Sequence, residues 1–173
     1  MIILGIDPGC IVTGYGVIEE RVGRVSHLDN GGIFPPARAP FSDRICFIHD
    51  QLSNLIGKFN PDAVAIENIF VAKNVASTLK LGHARGAAMV AAGRAKIPIH
   101  EYTALQVKQA VVGHGKAAKE QVQDMVRRLL DLPGTPSPDA ADALACAIAH
   151  AHAAKGMLGL RTTGFRMRRG RIV

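Results

Sequence analysis

The chain opens with the apolar run Ile2, Ile3, Leu4 and Ile6, which predicts a short strand buried on both faces and leading directly into Asp7. Pro8 and Gly9 turn the chain away. Val12, Tyr15, Val17 and Ile18, with the small residues Thr13, Gly14 and Gly16 between them, predict a second, antiparallel strand. The stretch from Val22 to Phe34 reads as a third, with RVGRV and NGG as turn signals, and Pro35, Pro36 and Pro40 mark a loop. From Phe41 to Phe59 the apolar positions Ile45, Ile48, Leu52, Leu55 and Ile56 fall at helical spacing, and Asn60-Pro61-Asp62 ends that helix. A second fully apolar strand, AVAI, runs into Glu67.

The remaining pattern alternates helix and strand. A long Ala-rich helix is predicted over 74–95, a brief strand at Ile97-Pro98-Ile99, and helices over 103–112 and 117–131. After the loop LPGTPSP comes a last helix from Pro138 to about Ala154. Gly82, Gly86 and Gly93 each cost a helix about 1 kcal/mol relative to Ala, a cost that close approach of another backbone, such as a dimer contact, would offset. A meander of strands followed by alternating strands and helices implies an α/β domain with a mixed sheet.

Four carboxylates stand out against this pattern. Asp7 and Glu67 each close a short apolar strand, so pairing of those strands brings the two together. Asp139 and Asp142 are three apart and share one face of the last helix, where Ser137 is a suitable N-cap and Pro138 a suitable first residue. Acids near a helix start also complement its dipole, but the rest of this helix is almost wholly Ala, Leu, Ile and Cys. A buried carboxylate is costly unless paired, protonated or holding a cation. A carboxylate set without a His–Cys cluster suits a hard cation, Mg²⁺ with Mn²⁺ as substitute, and two such ions can assist an in-line phosphoryl displacement.

Charge sharpens this picture. Residues 1–67 carry five Lys/Arg against eight Asp/Glu, whereas residues 68–119 carry eight against the single acid Glu101. A middle third almost free of acid is an electrostatic footprint for a phosphate backbone. Acidic ligands inside a protein of net charge +7 therefore point to a metal-dependent nuclease acting on nucleic acid. At 173 residues one domain with a full core is expected; residues 1–156 form it, and 157–173, with five Arg and no acid from Arg161 onward, form a flexible basic tail. Three cysteines without metal-type spacing, no basic leader segment and no long apolar run point to a cytoplasmic protein with free thiols and no membrane contact.

The segments GIDPG with VTGYGV, AIENIFVAKN, LKLGHARG, VKQAVVGHGKAAKEQV and DAADALA, in this order from about Ile3 to about Ala151, resemble the RuvC family of bacterial Holliday junction resolvases. The resemblance implies a ribonuclease H-like fold, a mixed five-stranded sheet with helices on both faces. It implies a homodimer that nicks two strands of like polarity symmetrically across a four-way junction, in recombination and DNA repair, alongside the RuvA–RuvB branch-migration complex. Asp7, Glu67, Asp139 and Asp142 match the family's metal-binding catalytic carboxylates, expected to hold two Mg²⁺ ions per subunit. Lys108 and Lys119 match lysines near the scissile phosphate, Lys119 counted with the catalytic set. Phe70 matches an aromatic that wedges against bases. With Phe70 and Lys108, the residues Lys73, Lys80, Arg85 and Lys116 complete the expected DNA contacts. Cys10 and His83 depart from the family's usual Ser and Gln.

Two other readings compete. A junction-binding protein that does not cleave would suit the basic middle third equally, but four carboxylates would repel DNA unless a metal neutralised them. An actin-like ATP-binding fold needs two lobes, and GHGK fails as a phosphate loop because Ala110 and Ala117 occupy the required Gly and Ser/Thr positions.

Overall fold

The sheet is built outward from β1 (Ile2–Asp7). β2 (Thr13–Arg21) returns antiparallel through the Pro8–Gly9 turn, and β3 (Arg24–Ile33) follows it through a tight turn at Val22 and Gly23, both at positive φ. On the other side of β1, β4 (Ala63–Glu67) and β5 (Ile99–Tyr102) join in parallel, giving the order β3-β2-β1-β4-β5. The structure, a computed structural model, describes residues 1–68 and 75–162 together with 167, 168, 171 and 172, and side chains through Lys155. The expected mixed five-stranded sheet with helices on both faces is the fold observed.

Strand alternation divides the core in two. Leu4 and Ile6 of β1, with Val17, Val64 and Ile66, face α1 (Phe41–Phe59) and α2 (Val75–Arg94). Ile3, Ile18 and Ala65 face the other way, toward α3 (Ala104–Val112), α4 (Lys119–Leu129) and α5 (Pro138–Thr162). α1 is amphipathic as its spacing dictates: Ile48, Leu52 and Ile56 are buried, and Asn60 ends it in the left-handed conformation, its N–H bonding Ile56 O at 2.9 Å. α2 buries a stripe of Ala84, Ala87, Ala88, Ala91 and Ala92. Its outer side leaves Val75, Leu79 and Val90 exposed, and no atom lies within 4 Å of where a Cβ would stand on Gly82, Gly86 or Gly93.

α5 is the most buried helix, with every residue from Ala143 to Ala149 at 2% exposure or less. It lies unusually close to β1 and β2. A Cβ on Gly5 would fall 1.9 Å from the Ala143 carbonyl oxygen, and one on Gly14 2.0 Å from that of Asp139. Glycine at these two points is therefore a condition for the helix to dock. Tyr102 of β5 also ties to it, its hydroxyl 2.7 Å from His150 Nδ1. Burial, and then His100 stacked on the ring at 4.2 Å, lower the His150 pKa to about 4, so the ring that pairs with the Tyr102 hydroxyl is neutral.

Three boundaries differ from the sequence reading. NGG lies inside β3 rather than in a turn, because Gly31 lets the Tyr15 ring approach and Gly32 that of Phe34. The strand after α2 begins at Ile99, after Pro98, whose carbonyl accepts Val64 N–H at 2.9 Å but which has no N–H to give. The final helix continues past Ala154 to Thr162, with no proline to stop it. Of the expected flexible tail 157–173, residues 157–162 are thus helical, and two short strands, β6 (Met167–Arg168) and β7 (Arg171–Ile172), pair antiparallel in a second sheet.

Gly5→Ala forces the sheet and α5 apart. It should lower stability by about 3 kcal/mol, the upper range for overpacking, and the melting temperature by roughly 6–12 °C. A thermal melt unchanged within 1 °C, on the order of measurement error, would contradict the close docking.

Candidate active site

The site forms where three segments end together. Ile6 pairs with Ile66 in the parallel β1–β4 ladder, so the next residues, Asp7 and Glu67, leave neighbouring strands side by side on the α5 face. Asp7 is opposite Gly14, and the Asp139 Cβ lies 3.1 Å from where a Gly14 side chain would begin. The close docking of α5 thus sets its N-terminal end, with Asp139 in the first turn and Asp142 in the next, over the end of β1. Behind Asp7, the fully buried Thr13 clamps the turn: its hydroxyl donates to Gly9 O at 2.7 Å and accepts from Gly9 N at 3.3 Å.

Two lysines come from the facing helices. α3 begins in a capping box, with Gln106 N–H donating to Thr103 Oγ1 at 3.2 Å and Thr103 N–H to Gln106 Oε1 at 2.8 Å. At the start of α4, Ala118 N–H donates to Gln121 Oε1 at 2.8 Å, while Val122 and Val126 bury the helix in the core. This brings Lys119, the first residue of α4, to within 2.8 Å of Asp142 Oδ2. Glu67, Asp142, Lys108 and Lys119 line a cleft of about 170 Å³ walled by Ala104, Val107 and Val122.

The electrostatics are those of a crowded anionic site. Burial, then the charges of Asp142, Glu67 and Asp139, raise the Asp7 pKa from 3.8 to about 7. Glu67 is raised for the same reasons, burial first and Asp142 second. Lys119 is raised chiefly by its hydrogen bond to Asp142. Beneath the site, burial pushes the Cys146 thiol well above its usual range, so it is a packed neutral group. Among the described residues, no three His, Cys, Asp or Glu side chains converge closely enough to ligate one ion as they stand. The Lys119 ammonium is the nearest cation to Asp142 in this arrangement.

The other candidates disperse. Phe70 and Lys73 lie outside the described residues. Lys80 is exposed on α2, where its carbonyl accepts from Cys10 Sγ at 2.8 Å, so Cys10 fastens the turn after Asp7 to that helix. Arg44 of α1 holds the same turn by donating to the Cys10 carbonyl. Lys116 is exposed in the turn before α4. Arg85 is paired with Glu101 at 2.7 Å on the α2 side of the sheet and is only 20% exposed. Cys10, Cys46 and Cys146 are all free thiols. Thr13 and the docking glycines were not anticipated as site-forming; the signal for the latter is Gly at alternate positions of a strand opposite an Ala-rich helix.

A family model described as Crossover junction endodeoxyribonuclease RuvC matches residues 3–150. A protein of that description from Syntrophotalea carbinolica is 59% identical over 152 residues, covering 88% of this chain and 94% of the relative. One from Dechloromonas aromatica is 53% identical over 171 residues, covering 99% and 96%. Among solved structures, T. thermophilus RuvC in complex with Holliday junction substrate is similar with a TM-score of 0.86 at 38% identity, covering 91% of this chain and 96% of that one. By fold and sequence alike, the chain belongs to the RuvC family of crossover junction endodeoxyribonucleases.

Proposed function

We propose that this chain is a Holliday junction resolvase: a homodimeric, Mg²⁺-dependent endonuclease that nicks strands of like polarity symmetrically across a four-way junction. The observation that carries this reading is the convergence of Asp7, Glu67 and Asp142 with Lys119 at one end of the sheet. The donor set fits a divalent cation. Four oxygen ligands, two of them held above their ordinary pKa by burial and mutual repulsion, form a site short of positive charge. Asp7, Glu67, Asp139 and Asp142 would hold Mg²⁺, with Mn²⁺ as substitute and two ions per subunit. When bound, the metal neutralises phosphate charge and makes a coordinated water more acidic.

The chain's own groups do the rest. Lys119 and Lys108 present cations to the cleft, where they stabilise charge developing on a phosphate oxygen. Val107 and Val122 give the cleft an apolar wall beside these charges. The exposed stripe of Val75, Leu79 and Val90 on α2, with the open glycines between them, supports a second copy of the chain as partner. The nuclease domain spans 1–156 with a basic tail at 157–173. The RuvA–RuvB branch-migration complex is the expected companion, and free thiols support a cytoplasmic setting. No helix among the described residues is long and apolar enough to cross a membrane. No observation favours a binder that does not cleave; it would have no use for a half-buried carboxylate cluster.

The decisive experiment uses a synthetic four-way junction, each strand labelled in turn, with Mg²⁺, a linear duplex and a chelator beside it. Paired nicks at symmetric positions, absent from the duplex and with chelator, are expected; binding without nicks in Mg²⁺ and Mn²⁺ would overturn the reading. Asp7→Asn should abolish nicking and leave junction binding within about threefold, or ~0.7 kcal/mol. Lys119→Met should slow nicking by roughly 10²-fold, the scale for removing one charge-stabilising group. Leu79→Asp should turn the dimer into a monomer of 18.4 kDa by light scattering.

A pH effect follows from Asp7. Its folded pKa, about 7, lies above the value of 3.8 for the free side chain, so its contribution to stability is fully present below about pH 4 and lost as pH rises through 7. With chelator, Asp7→Asn should therefore melt above the parent protein at pH 8, by several degrees, and show no such gain near pH 4. Mg²⁺ should narrow the gap at pH 8 by stabilising only the parent. A gap independent of pH would show that Asp7 is not held in an anionic cluster.

A further inference from the structure

The carboxylate cluster has two flanks, and they differ. Lys108 and Lys119 stand on the β4–β5 side. On the β2–β3 side the register leads to a different surface. Gly14 pairs with Gly32, so both face α5, and Val12 and Phe34, each just outside its strand, lie on that face too. Their side chains meet there: a Cβ on Gly32 would fall 2.8 Å from the Phe34 ring and 3.0 Å from Val12 Cγ1. Gly14 in turn lies under Asp139. Phe34 thus sits one strand beyond the first turn of α5, on the rim that carries the catalytic acids. Its ring is 67% exposed, the one exposed Phe or Tyr side chain among the described residues, and Ile11 beside Val12 is 80% exposed.

Exposed apolar surface is costly to leave uncovered, and here it borders an active site rather than a core. The occupant is set by what crosses that rim. A strand whose phosphate lies over the carboxylates has nucleotides running off on both flanks. The lysine flank suits backbone phosphate; a flat ring without charge suits the face of a base or a deoxyribose.

We propose that Phe34, backed by Val12, is a stacking platform for a nucleotide flanking the scissile phosphate, and so a substrate-positioning residue for this reaction. The inference rests on the nuclease reading above and adds a subsite on the β2–β3 flank.

The test uses junctions with 2-aminopurine placed singly at about three positions on each side of the cut, bound to Asp7→Asn protein so that they remain intact. Protein with Phe34 should quench the probe at one flanking position, and Phe34→Ala, in the same background, should not. In the cleaving protein, Phe34→Ala should lower the cutting rate about tenfold, within the range for loss of one base–aromatic stack, with an unchanged melting temperature. Phe34→Trp should keep the parent rate and the quenching, whereas Phe34→Leu should behave as the Phe34→Ala variant does. Equal quenching and equal rates with and without the Phe34→Ala substitution, or full activity of Phe34→Leu, would overturn the platform alone. Failure of the Phe34-containing protein to bind or cut any junction would instead overturn the nuclease reading, and this inference with it.

Discussion

The separation between one helix and one sheet governs this molecule. α5 carries two of the four acids, and its backbone rests against β1 and β2 at points where any side chain would intrude, with 1.9 Å at Gly5 and 2.0 Å at Gly14. A helix on a sheet surfaced with larger residues would stand off, and the acids near its N-terminus would lose touch with Asp7. The alanines that make α5 nearly featureless in sequence serve the same end, because small side chains on both partners allow dense packing at short range. Anchors at either end keep the helix in register: the Asp139 turn over Gly14 and the neutral His150 under the Tyr102 hydroxyl.

That closeness has an electrostatic cost. Bringing Asp139 and Asp142 onto Asp7 and Glu67 in a half-buried place raises the free energy of ionising Asp7 and Glu67. Lys119 offsets part of it from outside, as a charge on a flexible stem that is itself 52% exposed. An exposed pair of this kind contributes little to stability by itself. Its importance is directional, because it draws the first residue of α4, and with it the cleft wall, against the acids.

Much of this was legible in the sequence because the relevant signals are local. Two apolar runs each ending in an acid, and two acids three apart on an apolar helix, placed Asp7, Glu67, Asp139 and Asp142 at strand and helix ends that the fold then assembled. The 3.6-residue period of Ile48, Leu52 and Ile56 placed α1 to the residue. What was not legible depends on partners distant in sequence. NGG has the composition of a turn, and only the Tyr15 and Phe34 rings lying on it show it to be strand. Arg85 reads as a cation free for phosphate until Glu101, sixteen residues on, closes on it. The continuation of α5 to Thr162 follows no periodicity that differs from the loop signals expected there.

The order of the acids along the chain has a consequence of its own. Asp7 and Glu67 belong to the first half, whereas Asp139 and Asp142 arrive on the last long helix. Synthesis proceeds from the N-terminus, and α5 docks only after it has left the ribosome. An unfinished chain can therefore pair β1 with β4 yet holds half of the acid set and lacks the helix that covers it. The four acids can thus come together only once α5 has docked, so the site depends on the last long helix of the chain.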